Sequence, residues 1–391
     1  MIRRTKQRIA ALIICSALAC AGLGGCAPSV NEEMFEVLGD FSWTNARDFS
    51  EGMAAVCRDG LWGFINTDGE LLIDYLYEDA GFFSEGLCAV MKDGKYGFID
   101  KNGDVAVDFV YDLAGPFSDG AAVVRQGVYY RYVKADGTYL NSETYTEAKA
   151  FSCGMAAVKR DGAYAYINTE GERITDYIYT GAEQASEGLA EVYGYDSTNS
   201  STFIDAEGRQ AFEASYVDLK PLSEGLAAFR VRIDEEGSVS HAWGFINAAG
   251  EVVIEPQFDD VQSFSEGAAV YEQTVTADTG LFGYVSSDGR ILVEAQYSKA
   301  YDFSDGMAVV CRDGAYGYID AQGSEVIVPG FDNARDFSEG YAAVQVGSSW
   351  GYIDKNGRAV VDFDWDRAGS FRDGCALVCS SDKYVFIKLR Q

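Results

Sequence analysis

The sequence predicts an all-β protein of about ten copies of one ~34-residue unit, closed into a propeller-like toroid. Three observations lead there. Glycines that end a Phe-Ser-Glu-Gly segment or its variants fall at 52, 86, 120, 154, 188, 225, 267, 306, 340 and 374, and a second series at 69, 103, 137, 171, 208, 250, 289, 323 and 357 keeps the same rhythm. The block Asn45 to Gly52 recurs unchanged as Asn333 to Gly340, which excludes chance similarity. The two ends are complementary half-units.

Within one unit, Met53 to Arg58, Leu61 to Asn66 and Leu71 to Tyr77 are short runs rich in Val, Ile, Leu and aromatics, separated by Asp59-Gly60 and Thr67-Asp68-Gly69. Such runs joined by Asp-Gly or Asn-Gly read as strands with primed hairpin turns, so each unit should hold about three antiparallel strands. No sustained helical period follows residue 33, and Glu143 to Ala150 would give at most one or two turns. The tenth unit stops after Lys383 to Lys388 without a third strand, whereas Met34 to Ala46 resembles a third strand with no unit before it. An N-terminal piece that completes the last unit closes a ring and removes exposed strand edges. The alternative is an open β-solenoid, where the same half-units would be caps.

Trp62-Gly63-Phe64-Ile65, Trp243-Gly244-Phe245-Ile246 and Trp350-Gly351-Tyr352-Ile353, with Tyr96-Gly97, Phe282-Gly283 and Tyr316-Gly317 as variants, resemble the WG (KWG) repeat. Units three, four, five and ten depart from it, with Arg131, Ala165, Thr202 and Val385 at the Gly position. The resemblance spans residues 33–391 and implies an exported or surface-associated bacterial β-repeat protein with a binding role. It implies no catalytic residues.

Residues 1–25 read as a lipoprotein signal peptide. Arg3, Arg4, Lys6 and Arg8 precede an apolar stretch from Ile9 to Leu23. Leu23-Gly24-Gly25-Cys26 resembles a lipobox, which makes Cys26 the expected lipidated residue and residues 26–32 a short tether to a single domain at 33–391. The expected location is extracytoplasmic, on the bacterial cell membrane through that lipid.

The whole chain carries 31 Lys and Arg against 61 Asp and Glu and has a pI near 4.3. Loss of the four basic residues in 1–25 would leave 27 against 61, a net −34. This charge argues against a nucleic-acid partner, because nothing could neutralise a run of phosphates. It favours a partner with basic character, either an envelope protein or a cell-wall glycan. Six cysteines after Cys26 lie singly inside repeats, without a CxxC pair, so buried thiols rather than a disulfide framework or zinc site are expected. No cofactor is implied.

The acid before the first glycine recurs at Glu51, Glu85, Asp119, Glu187, Glu224, Glu266, Asp305, Glu339 and Asp373, with Cys153 as the exception. Each should accept backbone hydrogen bonds in its own tight turn rather than form a cation-binding band. Asp100 to Asp104 has alternating oxygen ligands like half a calcium loop, but lacks the remaining ligands, and reads as a hairpin turn. The column Trp62, Tyr96, Tyr130, Tyr164, Trp243, Tyr316, Trp350 and Tyr384 reads as core.

The extra residues of units five to seven all fall between the first and second strand, at Gly194 to Ser201, Arg232 to Ala242 and Glu272 to Gly280. Insertions at one equivalent turn of consecutive repeats project on one side, so these loops form the expected contact surface. Its candidate ligand-binding residues are Tyr195, Asp196, Asn199, Asp234, Glu235, Glu236, His241 and Asp278. No metal site is expected among them. The only imidazole, His241, has no nucleophile motif beside it, so no catalytic residue is assigned and the protein is expected not to be an enzyme. The competing readings are a passive surface spacer and a carboxylate-based glycan hydrolase.

Overall fold

The structure, a computed structural model, describes residues 34–390 apart from 195–199, 214–215, 236–237 and 277–278. The described strands form ten small antiparallel sheets, one per repeat, arranged as the blades of a propeller. Blade 1 runs from Asn45 to Tyr77, and blade 10 from Arg367 to Leu389.

In each blade, the segment before the Glu-Gly turn forms a further inner strand, such as Asn45–Ala46 in blade 1 or Arg367–Arg372 in blade 10. Most blades are therefore four-stranded, whereas the sequence led us to expect three. Glu51 and Gly52 both take left-handed φ values (52° and 79°), as do Asp59 and Gly60 (53° and 83°). These are the primed two-residue turns expected at Asp-Gly. At the third turn, Asp100 accepts hydrogen bonds from the backbone N–H groups of Asn102 and Asp104, both at 2.9 Å, so this carboxylate is committed to the turn.

The ring closes as the half-units predicted. Phe35–Trp43 pairs antiparallel with Lys383–Leu389 and serves as the outer strand of blade 10. Leu38 and Trp43 sit in one apolar cluster with Phe49 and Val56 of blade 1 and Phe386 of blade 10.

The core consists of ten such clusters, one at each seam between blades. An aromatic ring from the third strand meets the Phe of the next blade's Phe-Ser-Glu-Gly segment edge-on or tilted. Examples are Phe64 with Phe83 (5.2 Å between centroids), Tyr318 with Phe337 (4.8 Å) and, across the closing seam, Phe386 with Phe49 (4.8 Å). Trp62, Trp243 and Trp350 are buried in these seams, and the tyrosines at the equivalent position are half-buried, as expected of a core column.

The Gly after Trp has a definite cause. A Cβ at Gly63, Gly97, Gly244, Gly283, Gly317 or Gly351 would lie 2.4–2.8 Å from a carbonyl oxygen of the outer strand. Blades 3, 4 and 5 carry Arg131, Ala165 and Thr202 there, and in each the outer segment is reduced to isolated bridges such as Tyr130 with Tyr145. Blade 10 carries Val385 there and keeps its outer strand, with a register break between Leu38 and Trp43 like the break beside Gly63 in blade 1. In blades 3 to 5 a side chain at this position thus goes with loss of the outer strand. Gly317→Ala should destabilise the protein by about 1–3 kcal/mol, the usual cost of overpacking, and should lose hydrogen-exchange protection at Glu325–Phe331 first. The reverse change, Ala165→Gly in blade 4, should leave that protection unchanged elsewhere in the ring.

Cys57, Cys88, Cys311, Cys375 and Cys379 are buried free thiols, and burial pushes the Cys88 thiol up to about 12. Cys153 is exposed.

Candidate functional site

The two faces of the ring differ. Met53 pairs with Asn66 and Arg58 with Leu61, so the Glu-Gly turns and the turns after the third strands share one face, and the Asp-Gly turns lie on the other. Phe35 pairs with Leu389, and the Leu389 N–H donates to the Gly374 carbonyl at 3.1 Å. The first described strand therefore starts on the Glu-Gly face, while the inserted segments of blades 6 and 7 project from the opposite one.

These two segments are not loops. In blade 6, Leu226–Glu235 and Ser238–Asn247 stay paired for ten residues each, against six in a standard blade. In blade 7, Ala268–Thr276 and Thr279–Ser286 do the same over nine and eight residues. The inner and outer strands stop level with Arg230 and Trp243 in blade 6, so beyond that point the hairpin is a two-stranded ribbon with both edges open. In blade 5 the strands shorten instead, to Ala190–Tyr193 and Ser201–Ile204.

The ribbon brings together part of the expected residue set. Arg232 pairs with His241 and Asp234 with Val239, so Arg232, Asp234 and His241 share one face. The Arg232 Nε–H donates to Asp234 at 2.9 Å, and Asp234 and His241 are exposed. Alternation from Leu226 and Ala228, which pack on blade 7, directs this face toward the blade 7 ribbon. On that ribbon Ala269 and Tyr271 pack on blade 6, so Gln273 and Val275 face back across the gap. Glu235 lies in the ribbon strand. Tyr195, Asp196, Asn199, Glu236 and Asp278, like Cys26, lie outside the described residues.

The recurring acids act differently from the expectation. Each carboxylate accepts hydrogen bonds not from its own turn but from the turn of the next blade. Glu51 bonds the Gly86 N–H at 3.1 Å, Glu85 that of Gly120 at 3.0 Å, and Asp119 that of Gly154 at 2.8 Å. Glu187, Glu224 and Glu266 each take two such bonds, Asp305 and Glu339 continue the series, and Asp373 closes it on Gly52 at 2.9 Å. A parallel series runs through the serines, whose hydroxyls donate to a backbone carbonyl of the next blade, usually that of the Phe, as Ser50 does to Phe83 at 2.8 Å, and to Ala185 and Leu222 in the case of Ser152 and Ser186. The acid series is interrupted at Cys153, between blades 4 and 5. The serine series is interrupted at Arg372, between blades 10 and 1. These seam ties were missed because an acid repeated at one position reads the same whether its acceptor bonds stay within a repeat or cross to the next.

One buried carboxylate also escaped the sequence reading. Glu191 occupies the position that holds Ala55 in blade 1, faces the apolar seam between blades 5 and 6, and is 3% exposed. One of its oxygens and the Ser201 hydroxyl have no hydrogen-bond partner among the described residues. Desolvation, reinforced by the Asp218 charge, pushes its carboxyl up to about 7, against weaker opposing contributions from the Tyr193 hydroxyl and the Leu219 N–H.

The architecture is that of a ten-bladed β-propeller with seam-tying turns on one face and projecting ribbons on the other. The model of the WG containing repeat matches residues 40–62, 62–96, 96–130, 144–164, 243–274, 282–314, 316–348 and 350–384, more than half of the chain. The chain belongs to the WG repeat family. No curated relative matches it in sequence. Among solved structures, a eukaryotic initiation factor is similar with a TM-score of 0.52 and 10% identity, over 79% of this chain and 95% of that one. This likeness supports the propeller fold alone. PorZ, a bacterial surface component of the type-IX secretion system of Porphyromonas gingivalis, matches with a TM-score of 0.26 and 10% identity over 90% of this chain and 65% of that one. The extracellular domain of a hybrid two-component system of B. thetaiotaomicron matches with a TM-score of 0.24 and 8% identity over 88% and 64%.

Proposed function

We propose that the protein is an extracytoplasmic, lipid-anchored binding or scaffolding module that recognises an envelope protein or a cell-wall glycan through the ribbons of blades 6 and 7 and the neighbouring insert of blade 5. The observation that carries this reading is the pair of adjacent ribbons standing off the face opposite the start of the N-terminal strand. A lipid on Cys26 would hold the Glu-Gly face toward the membrane and leave the ribbons pointing away from it. Open ribbon edges offer backbone N–H and C=O groups to an extended segment, and the Arg232, Asp234 and His241 face supplies polar selectivity. No residue is assigned a catalytic role.

The test compares soluble residues 33–391 with a version in which blades 5 to 7 are trimmed to standard six-residue strands joined by Asp-Gly. Both are titrated against purified wall glycan and against envelope proteins captured and then purified singly. Saturable binding lost on trimming, with the ring still folded by circular dichroism, is the expected result. Equal binding by both versions, or none by either, would replace this reading with that of a passive spacer.

A further inference from the structure

Two seams of the ring carry the same ion pair beside the inner strands. A cation just after the inner strand of one blade meets an acid of the next blade's inner strand: Arg47 with Asp79 at 3.0 Å and, at equivalent positions, Lys220 with Asp260 at 3.1 Å. Blade 9 repeats the segment of blade 1 without change, Asn333 to Gly340 for Asn45 to Gly52, so Arg335 stands where Arg47 does. The residue it faces, equivalent to Asp79, is Arg367. At this seam the acid has been replaced by a like charge.

A third arginine is nearby. Arg372 takes the place of the seam-tying serine in blade 10, and Arg335, Arg367 and Arg372 together line a depression of about 310 Å³ with Ser370, Tyr384 and a single acid, Asp48. Gly369, at the position equivalent to Arg335 in blade 10, leaves it open. Among the described residues Arg335 and Arg372 have no carboxylate within ion-pair distance, and the one acid near Arg367 is Asp382, at 3.8 Å and almost fully exposed. Arg335 lies over the Trp350 ring at 5.4 Å, and Arg367 donates to the Tyr384 hydroxyl at 2.8 Å, so both guanidiniums are held in place.

We infer that this depression at the seam of blades 9 and 10 is a binding site for a small oxyanion, a ligand bearing a phosphate or carboxylate group. Two guanidiniums facing each other across a seam repel unless an anion lies between them. Their planar forks match the oxygens of phosphate and carboxylate. In a chain with a formal charge of −30, three arginines against the single acid Asp48 make this depression a locally basic site. The site is separate from the ribbons and stands independently of their function.

The experiment is calorimetric titration of residues 33–391 with inorganic phosphate in one arm and citrate in another, at ionic strength held constant with sodium chloride. Arg367→Glu is the key variant, because it should restore with Arg335 the ion pair that Asp79 makes with Arg47 and so keep the seam intact. Arg372→Ser restores the serine of the other blades. The expected result is saturable binding of at least one anion by the wild type, weakened about tenfold by Arg372→Ser, as for loss of one charge-assisted hydrogen bond, and abolished in Arg367→Glu without a fall in melting temperature. The arm that saturates identifies the oxyanion. Absence of saturable binding in the wild type, or the same affinity in Arg367→Glu, would overturn the inference.

Discussion

Trp43→Ala should destabilise the protein by about 3–5 kcal/mol, the range for removing a buried Trp, and should do so in two blades at once. Trp43 belongs to the N-terminal strand, yet its ring packs on Phe386 of blade 10 at 6.1 Å and its indole N–H donates to the Tyr75 hydroxyl of blade 1 at 2.8 Å. Gly39 lies so close beneath it that a Cβ there would fall 2.6 Å from the indole, so the ring has little room to shift or be replaced. The closing seam has few other ties to fall back on. The serine bond is missing at Arg372, which leaves the Asp373 bond to Gly52, the Phe386 and Phe49 contact and the Lys388 ion pair with Asp68 at 2.5 Å. Hydrogen exchange should therefore rise in Arg367–Leu389 and in Asn45–Tyr77 together. Rise in blade 1 alone would contradict closure, since an open array would transmit the loss in one direction only.

The second large effect is pH dependence at Glu191. Its carboxyl is pushed from an ordinary value of 4.5 up to about 7 in the folded chain, chiefly by desolvation. The folded state therefore holds this proton more tightly than the unfolded state. Its stability contribution is fully present below about pH 4.5, declines as pH rises through about 7 and is then constant. A shift of this size corresponds to about 3 kcal/mol. The groups facing it are Tyr193 and Ser201 in its own blade, and Asp218 in blade 6, which is paired with Arg230 at 3.2 Å. Denaturant titration between pH 5 and 8 should show the wild type losing stability while Glu191→Gln stays flat and is the more stable of the two at pH 8. Parallel profiles would show that the carboxylate is ionised throughout. Carboxylates held low by hydrogen bonds, such as Asp100, act in the opposite direction, but their loss falls below this window.

Much of the fold was legible because its signals are local. Asp59-Gly60 demands a primed turn, and Met34 to Ala46 lacks the unit that would precede it, so turns and closure both follow from short stretches. The ribbons could also have been read: Val231-Arg232-Ile233-Asp234 alternates apolar and polar, the pattern of a strand rather than a loop. What repetition concealed was direction. With the same acid in nearly every unit, Glu51 and Glu85 look equivalent, and only coordinates show that one reaches the other's turn. Glu191 stood out from the Ala column, but a lone acid becomes informative only when the seam around it is known to be apolar. Of the expected contact residues, Asp234 and His241 are brought together because they lie on one face of one ribbon.

The strand that closes the ring has a consequence for how the chain comes to be folded. Phe35–Trp43 is among the first parts of the domain to be synthesised, and its partner, Lys383–Leu389, is the last. Until the last strand of the domain has been made, blade 10 does not exist and the first strand waits with nothing to pair against, while the flanks of blades 1 and 9 stay open. Intermediate blades can condense in sequence on their predecessors, but the final step joins segments separated by nearly the whole chain. Closure is therefore a test of a whole domain: a product cut short within it keeps two bare flanks and an orphan strand, the open edges through which aggregation begins.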